Sequence, residues 1–552
     1  MKKRITALVL AMLMCFSISA CGTPSTDASN TSSNANAETS GNISASGDGT
    51  WDLLNVAGSD PEDVSPFKTD KGTKSLLWSV YESLYDLDPN TGELCPVLVD
   101  GRRGENGGYT IVDEMTYEIY IHADIYDHAG NHVTASDVAF TYLKNIEEGY
   151  KSYYSKLDEA VALDDTTVQL KLSAPIENVS ELTPYLINIW VYTEAAYNAS
   201  PSNLTTDTCG TGRYKLTEFI SGASLTLEKW DNYWQKDESL INERHQAYVD
   251  KIVQYFMSEE TQIVIGLETG SIDLCTKITT ESCSDFLEGG SHYGQVAVST
   301  LEDNKQLCLT PNVSPESPMS DLNLRLACFY AIDNKYVAAS LGSGSAVASN
   351  GLGIRTGTTD YNPNWETYDN YQTTYNIELA KEYLEKSNYN GEKLTILTNT
   401  DNNNAYKTVA LSISSFLEAI GVKTEIIVVD KTTAESNRRD PTAYDMEIGT
   451  AVSIKSSVME MYSFLFSTES TGTGMTQWFI DDPKLQELFK EAYKLETHNV
   501  DTVDALYQYV MDNGYAYGLL QFNANVAFRT DKLSDITYQG QHLVVPGSCN
   551  FN

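Results

Sequence analysis

The chain has 552 residues, and its 76 aspartates and glutamates against 37 lysines and arginines give a formal net charge of −39. That length supports several domains with substantial cores, while the charge argues against a nucleic-acid partner, which needs a basic face, and against docking on anionic lipid. Nine cysteines are far too sparse for a disulfide scaffold, and no C-x-x-C spacing points to zinc.

The chain opens on Met1, Lys2, Lys3 and Arg4, followed by an apolar stretch from Ile5 to Ala20. A charged start and an apolar run too short for a comfortable span read as a signal peptide. The run closes on Ile18-Ser19-Ala20-Cys21, which resembles the bacterial lipoprotein signal, in which the thiol of Cys21 is acylated before cleavage. Residues 1–20 are then the signal. Residues 21–50, almost all Ser, Thr, Asn, Gly, Ala and Asp, are a tether that cannot bury enough surface to fold. With Cys15 lost and Cys21 lipidated, seven cysteines remain, so at least one has no partner within the chain. Buried thiols are the expectation.

Further along, "TYEIYIHADIYDHAGNHVTASDVAFTYLKNI" predicts strand, turn and helix, with Thr134 and Asp137 at capping-box spacing. The same stretch gathers His122, His128 and His132 near Asp124 and Asp127, but the spacing fits no zinc helix motif, and a turn is the expectation. "SLTLEKWDNYW" alternates like a strand, and "TQIVIGLETGSIDL" reads as a short helix stopped by Gly270. "GSGSAVASNGLGIRTGT" has neither a P-loop lysine nor G-x-S-x-G, so it is read as a loop. Asn376 caps a predicted helix carrying Ile377, Ala380, Tyr383 and Leu384 on one face, and "KLTILTN" follows as a strand. Val409, Ile413, Phe416, Leu417 and Ile420 recur at helical spacing up to Gly421, and "VKTEIIVVD" is a second strand. Strand, helix, strand makes a βαβ unit and an α/β domain.

Several segments in order resemble the extracytoplasmic solute-binding proteins of peptide-class ABC importers, solute-binding family 5. "SVYESLYDLDPNTGELCPVLVD" is similar to its Y-E-x-L strand followed by tG-E-l-x-P. "ADIYDHAGNHVTASDVAFTY" is similar to its D-G loop and v-T-A-x-D-V. "GTGRYKLTEFISGASLTLEKWDNYW" resembles G-T-G-P-Y-x-l and n-x-x-Y-W, with Arg213 in place of the proline. "LETGSIDL" and "PNVSPESPMSDLNLRLACFYAIDNKYV" complete the series, which runs from about Val80 to Asp445.

The resemblance implies an α/β, two-lobed periplasmic-binding-protein-like fold (type II, cluster C-like) with a hinge and an extra inserted subdomain. Lobe one would comprise 51–92, 206–300 and 513–552, the inserted subdomain 93–205, and lobe two 301–512. It implies no enzyme, no cofactor and no metal, but a small solute closed between the lobes and handed to ABC permease subunits, with the acylated Cys21 in the bilayer on the outer face of the cytoplasmic membrane. Family members typically hold an extended peptide as an added strand and neutralise its ends with a segment reading f-D-v-x-R-x-G-W-x-x-D-y. Here "YDMEIGTAVSIKSSV" keeps Asp445 but places Ile448 at the arginine, Ala451 at the tryptophan and Ile454 at the second aspartate. Lys455 takes that role only if the register slips, and Arg438 and Arg439 are read as a solvated loop. An oligopeptide is therefore the expected solute, an oligosaccharide the alternative, and a secreted glycosidase the rival from the enzyme class. Expected ligand contacts are Tyr81, Glu82, Asn312, Gly449, Thr450, Ala451, Trp478 and Tyr517, with Arg325 and Asp333 structural within lobe two.

Overall fold

Two long strands set the architecture. Val296–Pro311 and Tyr517–Arg529 run antiparallel, from Val296 opposite Arg529 to Leu309 opposite Tyr517. At the usual strand rise the longer one covers about 50 Å. The computed structural model describes residues 51–552 apart from 68–73, 89–92, 151–153, 177, 343, 354–359, 401–404, 451–456, 470 and 540–542. The expected signal, Cys21, the tether, Ala451, Ile454 and Lys455 thus lie outside the described residues.

The two strands sit in the middle of an eleven-stranded sheet, the largest among the described residues. On one side Tyr517–Arg529 is followed by Leu274–Ile278, Leu54–Gly58, Lys251–Phe256, Ser224–Lys229 and Tyr214–Ile220, which make lobe one. On the other side Val296–Pro311 is followed by Met446–Thr450, Lys393–Asn399 and Lys423–Val429, which make lobe two. Between Glu302 and Gln306 the ladder slips, and the facing residues advance only from Asn523 to Gln521. Such a bulge concentrates twist and bending where the backbone passes from one lobe to the other.

Lobe two is built as the sequence predicts. Lys393–Asn399 and Lys423–Val429 pair in parallel in register, from Lys393 opposite Lys423 to Asn399 opposite Val429. The helix Ala405–Ala419 connects them, burying Val409, Ile413 and Leu417. Gly421 takes the left-handed conformation (φ 93°) that a side chain would resist. The Asn376 side chain accepts the Leu379 amide and starts the helix Ile377–Lys386. Arg325, nearly buried, donates to the carbonyls of Met319, Ser320 and Asn513, and Asp333 caps the next helix. Both stay within lobe two, where they bind backbone.

A separate four-stranded sheet forms the inserted subdomain, in the order Tyr109–Asp113, Thr116–Tyr120, Thr167–Leu172, Leu157–Asp164. Its helix Ala135–Asn145 carries the expected box: the Asp137 carboxylate accepts the Thr134 amide at 2.9 Å. The histidine-rich stretch is a turn around Asp127, whose buried carboxylate accepts the amides of Ala129 and Asn131 and the Thr193 hydroxyl. His128 and His132 bind carbonyls, at Gly212 and Ala123. The seven cysteines of the described residues are free thiols, five of them buried.

Tyr233 and Trp234 of lobe one pack into the subdomain core, and they belong to a buried charge network within lobe one. Glu82, fully buried, accepts from Tyr233 Oη at 2.6 Å and Trp234 Nε1 at 2.8 Å. His245 lies between Glu82 (3.2 Å) and Asp86 (2.6 Å), with Arg244 3.6 Å from Asp86. Burial disfavours a charged imidazole, but the hydrogen bonds to Asp86 and Glu82 outweigh it and raise the pKa to about 9. A pKa raised on folding stabilises fully below the unfolded value of about 6.5, and that contribution is lost as pH rises through 9. Thermal melts should therefore show stability falling between these two values, and His245→Gln should flatten the fall. It should also cost about 3–5 kcal/mol at neutral pH, because two buried carboxylates lose their cation.

Candidate functional site

Between the lobes lies a cavity of about 1440 Å³. Lobe one contributes Glu259, Glu260, Lys277 and Glu281, the crossing strand Phe522 to Asn525, and lobe two Lys431, Glu435, Arg438, Arg439, Gly449, Phe464 and Gln477. This exceeds the roughly 300–1,000 Å³ of ordinary small-molecule sites. The walls differ in sign: lobe one presents mostly carboxylates, lobe two mostly cations.

The lobe-two wall owes its chemistry to strand alternation. Along Met446–Thr450, Met446 and Ile448 point into the lobe core, so Glu447 and Gly449 face the other way. Glu447 is 1% exposed. It takes two parallel bonds from Arg438, Nε at 2.7 Å and Nη2 at 2.6 Å, and a third from Trp478 Nε1 at 2.9 Å. The guanidinium also lies over the Trp478 and Phe464 rings, at 5.4 and 5.8 Å. Burial opposes its charge, but the bonds to Glu447 prevail and hold its pKa above the ordinary value. A Cβ added to Gly449 would stand 3.4 Å from the Glu447 carboxylate, so the glycine leaves room for the Arg438–Glu447 pair close against the strand.

The expected contacts divide sharply. Gly449 lines the cavity. Thr450 pairs through its backbone with Leu307, next along the same strand. Trp478 stands behind the wall, 3% exposed, with its indole N–H committed to Glu447. Four other expected contacts lie away from this cavity. Tyr81 is fully buried in lobe one and stacks on Trp190 at 5.4 Å, and Glu82 belongs to the network with His245. Asn312 is fully buried and donates to the carbonyls of Pro441 and Tyr444, closing lobe two internally. Tyr517 is 1% exposed and packs on Phe329 and Tyr371 in the lobe-two core, on the far side of the crossing from the lobe to which 513–552 were assigned.

Arg438 and Arg439 move the other way, from presumed solvated loop to cavity wall. The signal that could have found Arg438 was the glutamate facing the cleft, which demands a cation. Asp445, the one matched residue of the charged segment, accepts from Ser317 Oγ and the Thr395 amide, each at 2.7 Å, and serves the lobe fold. Among the described residues no group of three or more His, Cys, Asp or Glu could hold a metal ion.

The family model for bacterial extracellular solute-binding proteins, family 5 Middle, matches residues 108–473. The oligopeptide-binding protein OppA of Bacillus subtilis is 24% identical over 306 residues, 50% of this chain and 52% of that protein. The chain thus aligns with about half the length of this relative. Among solved structures, HbpA2 of Haemophilus parasuis superposes with a TM-score of 0.76 at 16% identity, covering 91% of this chain and 100% of that one. The oligopeptide-binding protein AppA of Bacillus subtilis, in complex with a nonapeptide, gives 0.57 at 16% identity, covering 89% and 96%. With its two lobes, its cleft and the greater part of its sequence inside the family model, the chain belongs to family 5 of the bacterial extracellular solute-binding proteins.

Proposed function

We propose that this receptor captures an oligopeptide in the interlobe cleft and delivers it to the permease of an ABC importer, held at the membrane by an acylated Cys21. The observation that carries the solute class is the cleft itself: about 1440 Å³, with acidic groups on one wall and cationic groups on the other. A free peptide is a zwitterion with its two charges separated by several residues, which such a gap accommodates. Arg438 is tied to Glu447, so the cations of this wall left for a carboxylate are Lys431 and Arg439, both exposed into the cleft.

The oligosaccharide alternative needs open aromatic faces. Tyr406 and Phe522, which line the cavity, stack on one another at 5.9 Å and are nearly buried. Closure of the two lobes over the guest, a hinge-type population shift, completes the cycle.

Calorimetry of the purified protein against a peptide pool and against α- and β-linked oligosaccharides tests the solute class. Heat from peptides is expected, and heat from sugars alone would sink the reading. Arg438→Ala should lower unfolding stability by about 3–5 kcal/mol, because it strands a buried carboxylate. Arg439→Gln combined with Lys431→Gln should leave the melting temperature within a degree or two and weaken peptide binding roughly tenfold, more so at low salt. For the anchor, metabolic labelling with a fatty-acid analogue should mark the wild-type chain and miss Cys21→Ala; equal labelling of both would refute it.

A further inference from the structure

Lobe two touches the inserted subdomain directly, at a place remote from the crossing strands. The helix Pro483–Tyr493 ends at Lys494, and the next residues turn back on themselves. The amides of Thr497 and His498 both donate to the Lys494 carbonyl, at 3.2 and 2.8 Å. His498 bridges its ring between the Ala492 carbonyl and Asp360 Oδ1, each at 2.7 Å. The turn is thereby built rigidly onto lobe two before it meets anything else.

What it meets is the apolar flank of the subdomain. Lys494 forms an antiparallel bridge with Asn178, the residue that caps the subdomain helix Val179–Ile187. Leu495 packs against the subdomain core, as do Leu182 and Tyr109 of the subdomain itself. Those two side chains also line a small apolar pocket, with Tyr117 and Tyr185, between the helix and the four-stranded sheet. Glu496 approaches Tyr117: burial first, then Tyr109, Glu181 and Glu496, push that phenol up to about 12. One backbone bridge and one leucine make a contact small enough to break reversibly, worth a few kcal/mol at most.

The subdomain is fixed to lobe one by the stacking of Trp190 on Tyr81 and by the Val191 amide, which donates to the Glu82 carbonyl at 3.0 Å, so a contact from lobe two to the subdomain spans the hinge from outside. We propose that the turn from Lys494 to His498 is a latch: docking Leu495 on the inserted subdomain holds the lobes together, and they part only when it releases. The latch acts on the equilibrium between lobe arrangements, not on the solute, so it stands or falls separately from the peptide reading.

The test uses the full chain without ligand. Leu495→Asp should enlarge the radius of gyration in X-ray scattering and speed amide exchange at least tenfold around Tyr117 and Asn178 to Leu182, with the rest of lobe two unaffected. Scattering and exchange identical to wild type would overturn the proposal. A second variant keeps the question decidable if the first does not fold. Antiparallel partners have Cα atoms about 4.5–5.5 Å apart, within the roughly 4.4–6.8 Å window of a disulfide. Asn178→Cys with Lys494→Cys should therefore cross-link on mild oxidation. The oxidised form should stay compact and resist the lobe opening that reduction restores; oxidised and reduced forms that scatter alike, or a bridge that never forms, would also overturn it.

Discussion

Both lobes hang on one ladder of backbone hydrogen bonds. Val296–Pro311 and Tyr517–Arg529 leave the core of one lobe and enter the core of the other without ending, so neither lobe can shift without bending them. Breaking a strand ladder is costly, whereas bending it at a bulge is cheap. The slip between Glu302 and Gln306 therefore fixes where motion is possible. The cavity floor at Phe522 to Asn525 lies along that same stretch, so any change in the angle between lobes is a change in the shape of the site.

A second constraint is charge. Acidic side chains outnumber basic ones about two to one, so buried carboxylates cannot all find a cation. Neutral aromatic donors supplement the cations at some carboxylates and replace them at others. Glu82 takes Tyr233 and Trp234; Asp504 takes Trp365 and Tyr368; Asp482 takes Tyr509 and Tyr515; and Trp478 gives its N–H to Glu447. Phenol and indole donors satisfy a carboxylate without adding a second ion to desolvate. Tyrosine, whose abundance in composition alone looks like provision for stacking on sugars, thus also serves as a donor to carboxylates.

Features governed by neighbours in sequence were legible. The cap at Asn376, the stop at Gly421, the box of Thr134 with Asp137 and the βαβ unit each depend on residues a few positions apart, and all stand where the pattern puts them. Tyr81 and Glu82 were not legible, because their fate is decided by Trp190, Tyr233 and His245, more than a hundred positions away. Motif alignment also hid the direction of side chains. Ile448 occupies the arginine position of the charged segment yet faces the lobe core, while Glu447, unremarked in the motif, faces away from that core and recruits Arg438, which lines the cleft, from the preceding loop.

That recruitment changes what the cleft can recognise. A guanidinium offered to the ligand directly is neutralised only when the ligand arrives, which makes a free carboxylate the preferred guest. Here the carboxylate is built in: Glu447 satisfies Arg438 with two bonds of its own, and the rings of Trp478 and Phe464 hold it there. At that point the wall is a preorganised, neutral pair, and a ligand reaching it loses little by lacking a charge there. The cations of this wall that stay open are Lys431 and Arg439, whose exposure makes their attraction for an anionic group weak and screened by salt. The area closed off as the lobes meet then matters more than any single charge at this wall.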